Sequence, residues 1–462
     1  MSEEDQRKAI DEDWEARPQS PKAKQEAVPE IPLKAREHKA GPKEAKDHAK
    51  KRGRSKAGPK VPPVKLDLFH NIQFIYELVL AKLELDSMGV EYAMDENMRS
   101  FTAKKVPDKD WVLRRSAYVA AIEGAESDYA RAVRLNRTKS VNQFLTHWIY
   151  PYKGKFHPQM VRALLNVMNL QRGETVLDPF IGSGTTAVEA KLLGINCIGF
   201  DVSKVCVMVS RAKTQSVDVI DKIEKEMGVV LEYARGTTLF TFEQAPKPLK
   251  MVIKGVRDLK ARNFFQVGEL VAHSAESRRG RHFTEAFVEN IEKMSQSVKD
   301  VSRILQELNV GFAFSDIQEG DARKLPLEDN SVDGILTSPP YSIALDYVKN
   351  DAHAFEALGL KEEDIREGFI GVRGKVKEKI QLYNQDMAKA YEEMYRVLKP
   401  GRRCTIVIGN ATIEEKELPT VQNCTAVCTR LGFELEHNVD KIIYGLYNVM
   451  QKENILVFRK KG

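Results

Sequence analysis

Two short stretches bring together residue types that can do chemistry. The first is Asp178-Pro179-Phe180, followed by GSGTTA at 182–187 and by an acid, Asp201, seventeen residues after Gly184. Glycines let a backbone approach a ligand, a helix start offers free N–H groups, and an acid at the next strand end can hold a ribose diol. The loop meets the G-x-G-x-x-G/A fingerprint and by itself permits a nicotinamide dinucleotide enzyme. The second stretch is Thr337-Ser338-Pro339-Pro340-Tyr341, which closes the apolar run Val332–Leu336. Prolines lack an N–H and fix φ, so one would suffice to end a strand. Two in a row hold carbonyls in fixed directions, beside a hydroxyl and a ring.

Asp178 decides between ligands for the glycine loop. A carboxylate in that loop repels a pyrophosphate, which requires N–H donors without negative charge nearby, and it welcomes an ammonium group. A ligand with a cationic amino-acid end and a ribose is S-adenosylmethionine, and Phe180 can pack beside its sulfonium. Gly182, Gly184 and Thr185 complete this expected cofactor loop.

The elements that must position these residues follow from the pattern around them. A strand (Thr175–Leu177), the glycine loop, a helix (Thr185–Leu193) and a strand (Cys197–Phe200) make a βαβ unit, the mark of a parallel sheet. Further on come a helix in DMAKAYEEMYRVL, a stop at Lys399-Pro400-Gly401, the strand CTIVIGN, a helix at about 419–431 and a final strand NILVFRK. The expected fold is α/β, a doubly wound Rossmann-like sheet over residues 151–462. Residues 210–312 break the alternation and are expected to form a mostly helical insertion, a recognition module or a structural elaboration. Within it SRRGRHF sets Arg278, Arg279 and Arg281 beside an aromatic ring, a candidate nucleic-acid contact. Residues 66–150 show apolar spacing that predicts a small helical region. Residues 1–65 hold eight of the nineteen prolines and few apolar residues, which predicts a disordered tail.

The two stretches together resemble the amino-methyltransferases that act on DNA. VLDPFIGSGTT resembles their cofactor loop, and TSPPY their catalytic motif in the variant associated with cytosine N4. KFHP at 155–158 resembles the motif contacting the methionine end, GDAR at 320–323 the acidic element beside the adenine, and NILVFRK the closing antiparallel strand. The resemblance covers roughly residues 150–210 and 315–460. It implies that Lys155, Phe156, His157, Asp178, Pro179, Phe180, Gly182, Gly184 and Thr185 surround the methionine part of the cofactor. Asp201 takes the ribose and Asp321 the adenine amino group, while Ser338, Pro339, Pro340 and Tyr341 act on the base. The motif order departs from the familiar cytosine members, since SPPY here follows the cofactor loop, and this weakens assignment of the target.

The chemistry explains the residue types. A cytosine amine is a poor nucleophile because its lone pair is delocalised, and acceptors for its N–H groups favour the pyramidal, charge-bearing nitrogen of the transition state. Ser338 Oγ and the Pro339 carbonyl can be those acceptors, and Tyr341 can stack an extruded base. None of the five cysteines lies in this segment, which argues against methylation at ring carbon 5.

Bulk properties limit the alternatives. No apolar stretch is long enough to span a bilayer, the opening residues lack the core of a secretion signal, and five scattered cysteines suit a reducing compartment. A cytoplasmic protein without a metal is expected. Residues 34–65 carry twelve Lys and Arg against three Asp and Glu, so most of the net charge of +6 sits in the tail. Cys424 and Cys428, four apart, suit buried thiols better than a metal pair. The expected substrate is DNA, with an RNA cytosine-N4 enzyme, for instance on ribosomal RNA, and an adenine-N6 DNA enzyme as alternatives. An idle nucleic-acid-binding protein and a nicotinamide oxidoreductase fit less well, because Asp178 and SPPY have no role in them.

Overall fold

Every position of Val332–Thr337 is buried, as a strand covered on both faces requires. This strand lies at the middle of a seven-stranded sheet in the computed structural model. The structure describes residues 62–462, apart from 136–139, 141, 153, 237–247, 341–346, 374–375, 414–415 and 445–449. Tyr341 and residues 1–61 lie outside the described residues, while Val64 and Lys65, expected in the tail, belong to the first strand, Val64–Leu68.

The N-terminal part comprises β1 (Val64–Leu68), α1 (Ile75–Ser87), β2 (Glu91–Met94), β3 (Ser100–Lys105), α2 (Lys109–Arg115), β4 (Val119–Ile122), β5 (Ala125–Glu126) and α3 (Asp128–Arg134). Its five strands form an antiparallel sheet in the order β2-β3-β1-β4-β5. The expectation of a helical region is corrected here: three helices are present, but on a sheet. Glu123 and Gly124 both have positive φ, 48° and 82°, and make the two-residue turn that folds β4 onto β5. The Glu-Gly turn splits what reads as one helical run, WVLRRSAYVAAIEGAESDYARAV, into helix, hairpin and helix.

The larger part begins with α4 (Pro158–Val167), β6 (Thr175–Asp178), α5 (Thr185–Leu192), β7 (Asn196–Asp201) and α6 (Lys204–Gln215). The insertion follows as α7 (Ile220–Arg235), α8 (Leu249–Gly255), α9 (Leu259–Arg279) and α10 (Phe283–Glu307). Its apolar face, with Phe264, Phe265, Phe287 and Ile291, shares a core with Met208, Val209 and Ala212 of α6. The chain then returns through β8 (Ser315–Glu319) and β9 (Val332–Thr337) to the short helices α11 (Tyr347–Asn350), α12 (Ala352–Ala357) and α13 (Glu362–Arg366). It ends with α14 (Val376–Val397), β10 (Leu398–Gly409), β11 (Ala411–Ile413), β12 (Lys416–Leu418), α15 (Thr420–Leu431), β13 (Phe433–Tyr444) and β14 (Met450–Lys460).

The strand order is β13-β14-β10-β9-β6-β7-β8. The β10-β9-β6-β7-β8 pairs are parallel, and β14 runs antiparallel between β10 and β13. This is the expected doubly wound α/β architecture with its reversed C-terminal strand. Glu84 of α1 ties the two parts together. Fully buried, it accepts hydrogen bonds from Ala117 N at 2.5 Å, from Asn166 Nδ2 of α4 at 2.6 Å, and from Ser116 Oγ at 3.2 Å. Among the described residues, no helix is long and apolar enough to cross a membrane.

Candidate active site

β6 and β9 are parallel neighbours, with Val176 opposite Gly334 and Leu177 opposite Ile335. Their C-terminal ends open side by side where the strand order reverses, the place where open α/β sheets hold ligands. Asp178 ends β6, and Thr337 ends β9 directly before Ser338.

The Asp178 carboxylate is buried and already held. Thr337 Oγ1 donates to Oδ1 at 2.7 Å, Thr186 Oγ1 to Oδ2 at 2.7 Å, and Phe180 N to Oδ1 at 3.2 Å. Burial raises its pKa to about 6, against the opposing pull of the two hydroxyls and the amide. The Thr337 bond joins the two chemical stretches directly, across 159 residues of sequence.

The glycine loop is fixed from behind by α6. Ser210 Oγ donates to Gly182 O at 2.8 Å, and the buried Lys213 Nζ donates to Ser183 O at 2.8 Å. Gly184 has φ of +80°, and a Cβ there would lie 2.8 Å from Ser210 Oγ, so the loop approaches α6 too closely for a side chain. Asp201 accepts from Gly182 N at 2.9 Å and from Ser203 N at 2.8 Å, and burial raises it too to about 6.

These residues border an open cleft. Of the residues singled out from the sequence, Lys155, Phe156, Asp178, Pro179, Phe180, Gly182, Thr185, Asp201, Asp321, Ser338 and Pro340 line it. Gly184, His157 and Pro339 stand outside the lining. Lys155 turns its ammonium to the carbonyls of His147, at 2.7 Å, and Asn142, at 2.9 Å, and burial lowers its pKa to about 8. His157 precedes α4 as its N-cap, and burial lowers it to about 4, so it is neutral near pH 7. Asp321 is gripped by Arg323, whose Nη2 lies 2.7 Å from Oδ2. Burial pushes this carboxyl up, but the guanidinium wins and its pKa is lowered. The arginines of the insertion are spread out: Arg278 donates to Pro151 O at 3.3 Å, Arg281 pairs with Glu289 at 2.6 Å, and Arg279 is exposed.

Several residues of the site were not singled out from the sequence. Thr337 and Thr186 hold Asp178, Lys213 holds the loop, and Tyr383 of α14 donates its hydroxyl to Pro340 O at 3.1 Å. The threonines stood beside the motifs and could have been found from the need to satisfy a buried carboxylate. Tyr383 and Lys213 lie in helices far along the chain and left no local signal. Gly368, Phe369 and Ile370 also border the cleft.

The cleft fits S-adenosylmethionine. Carboxylates stand at the ends of three successive strands, Phe156, Phe180 and Phe369 add apolar surface, and the Thr185 hydroxyl is buried with no hydrogen-bond partner among the described residues. Cation, diol and ring each have a complementary surface.

The comparisons agree with that chemistry. Residues 149–362 match an RMKL-like methyltransferase domain, and residues 35–211 match the N6/N4 methyltransferase model described as DNA methylase. The Type II methyltransferase M.BsoBI of Geobacillus stearothermophilus is 25% identical over 304 residues, 54% of this chain and 59% of that protein. A tRNA (guanine(10)-N2)-dimethyltransferase of Methanothermobacter thermautotrophicus is 26% identical over 142 residues, 30% of this chain and 40% of that protein. The chain thus spans less than two thirds of the length of these curated relatives. A SAM-dependent methyltransferase structure from Methanosarcina mazei superposes with a TM-score of 0.29 at 11% identity, covering 63% of this chain and 94% of that one.

Both matching family models describe methyltransferases, and the cleft suits S-adenosylmethionine as their cofactor. More narrowly, residues 35–211 are similar to the N6/N4 DNA methylases, and the curated relatives of this chain include Type II DNA methyltransferases.

Proposed function

We propose that this chain methylates the exocyclic N4 amine of cytosine in DNA, by direct in-line transfer to an extruded base. The observation that carries this reading is the hydrogen bond from Thr337 to Asp178, which seats the SPP segment at the cofactor loop. Bound S-adenosylmethionine supplies an electrophilic methyl group. Asp178, which has lone-pair capacity left on Oδ2, orients the cationic amino-acid end, and Asp201 and Asp321 take the ribose and adenine. Ser338 Oγ and the Pro339 carbonyl accept the N–H groups of the amine as charge develops on nitrogen. The hydrogen bond from Tyr383 to the Pro340 carbonyl keeps the neighbouring backbone from turning, so no reordering is left for the reaction itself. Tyr341 offers a stacking face for the flipped base. The proton leaves after methylation, so no strong base is required.

A second reading keeps the chemistry and changes the polymer. The match to an RMKL-like domain and the similarity to a tRNA methyltransferase favour RNA as the carrier of the base. Labelled methyl transfer to DNA and to total RNA in parallel, with mass spectrometry of released nucleosides, separates the readings. N4-methyl-2′-deoxycytidine is expected. N4-methylcytidine alone selects RNA, N6-methyl-2′-deoxyadenosine displaces cytosine, and no product from either polymer removes the proposal.

The carboxylates give this reading a pH signature. Asp178 and Asp201 ionise near 3.8 when unfolded and near 6 in the fold. The unliganded fold therefore binds more protons than the unfolded chain between these values and loses stability as pH rises through that window. A cationic ligand prefers the ionised forms, so its affinity should fall as pH drops through about 6. Thr337→Val removes a donor to Asp178 and should move that fall to higher pH. A calorimetric affinity that stays flat from about pH 5 to 8 would contradict the assignment.

A further inference from the structure

A second, smaller cavity lies at the opposite end of the sheet, where α2 and α3 meet the turn before β6 and the end of α5. Arg114, Arg115, Arg172, Trp111 and Asp128 line it. Three guanidinium groups therefore face one carboxylate. Arg115 is only 4% exposed; its Nε donates to Asn166 Oδ1 at 2.8 Å, and its guanidinium carbon lies 4.9 Å from the centre of the Trp111 ring. Its Nη2 is buried with no hydrogen-bond partner among the described residues. Arg162 adds a fourth cation behind them, donating to the carbonyls of Arg114 at 2.7 Å and Arg115 at 2.9 Å.

Arg162 Nη1 faces the buried Glu189 at 3.8 Å, whereas Arg115 Nη2 has no acceptor among the described residues. Asp128 pairs with Arg131 at 3.7 Å, and Glu174 is taken by Arg402 and by Gln171 N. A buried guanidinium donor without an acceptor is costly, and an anion that supplies acceptors removes the cost. Guanidinium forks match phosphate oxygens in pairs. Arg114 and Arg115 approach from α2 and Arg172 from the turn before β6. A carboxylate has two oxygens to offer, whereas a phosphate has acceptors on several sides.

We propose that this cavity binds a phosphate group, either free phosphate or the phosphate of a nucleic-acid backbone. The site stands apart from the catalytic cleft and does not depend on which base is methylated. Calorimetric titration of the full chain with inorganic phosphate, at constant ionic strength in chloride, is expected to show saturable binding of one phosphate per chain. Arg114→Glu and Arg172→Glu, both at exposed positions, should weaken it at least tenfold. Arg115→Lys, which keeps the charge and removes the fork, should weaken it as well; thermal melting shows whether each variant is folded. Titration with a short DNA duplex distinguishes the sources. Duplex affinity unchanged in variants that lose phosphate selects a free phosphate, and duplex affinity that falls in all three variants selects the backbone. If neither phosphate nor duplex depends on the three arginines, the site does not exist.

Discussion

Replacing Ser338 by alanine is expected to lower methyl transfer by about 10²–10³-fold, while S-adenosylmethionine binds within about twofold of its original affinity. The split follows from position. Ser338 lines the cleft one residue beyond Thr337, and it is Thr337 that bonds to the cofactor loop. Removing Oγ deletes an acceptor that matters most when the amine nitrogen becomes positive, and it leaves Asp178, Asp201 and the glycine loop intact. Single-turnover transfer and calorimetric cofactor binding, measured on the same preparation, read the two effects separately. Tyr341→Ala should share the pattern, with loss of a base–aromatic stack worth about 1–3 kcal/mol. An equal loss of cofactor affinity in both variants would show that the segment serves the cofactor and not the base.

Asp178 should give the reverse split, and two substitutions there separate scaffold from charge. Asp178→Ala strands the hydroxyls of Thr186 and Thr337 and the amide of Phe180, each of which donates to it. Buried donors left unpaired cost about 1–3 kcal/mol each before relaxation, so the melting temperature should fall clearly. Asp178→Asn keeps the shape and most of these bonds, since a hydroxyl can turn to accept, and it should melt close to the parent. Both should weaken the cofactor by about 100-fold or more, because an ammonium partner in a buried site is lost. A cofactor affinity preserved in the asparagine variant would mean that Asp178 is a structural bracket between β6 and β9 and makes no cofactor contact.

Much of the catalytic sheet was legible because its signals are local. The loop between β6 and α5 follows from the glycines, and β9 from a short apolar run closed by prolines. The reversed β14 came from the family resemblance. The N-terminal sheet was not legible for an equally local reason. Its strands are only two to six residues long and its pivotal turn is Glu123-Gly124, so helical spacing in the flanking segments dominates the reading. The site divides in the same way. Asp178, Gly182 and Ser338 carry their chemistry in their immediate neighbours. Lys213 and Tyr383 matter only through contacts made after folding, to the carbonyls of Ser183 and Pro340, and nothing beside them in the chain announces it.

The bridge between Asp178 and Thr337 also sets an order of events during folding. A nascent chain that has emerged only through β7 contains the glycine loop, Asp178, Thr186 and Asp201, yet lacks Thr337, the second of the two hydroxyls that bond to Asp178. The loop closed by pairing β6 with β9 spans more than a hundred residues, and contacts of such separation form late. The Asp178 end of the cleft is therefore completed only after the insertion has been made and β9 has docked at the centre of the sheet. The cofactor cannot template the early collapse of this chain. It stabilises the finished fold, and its effect should appear mainly as slower unfolding, with little change in the rate of folding.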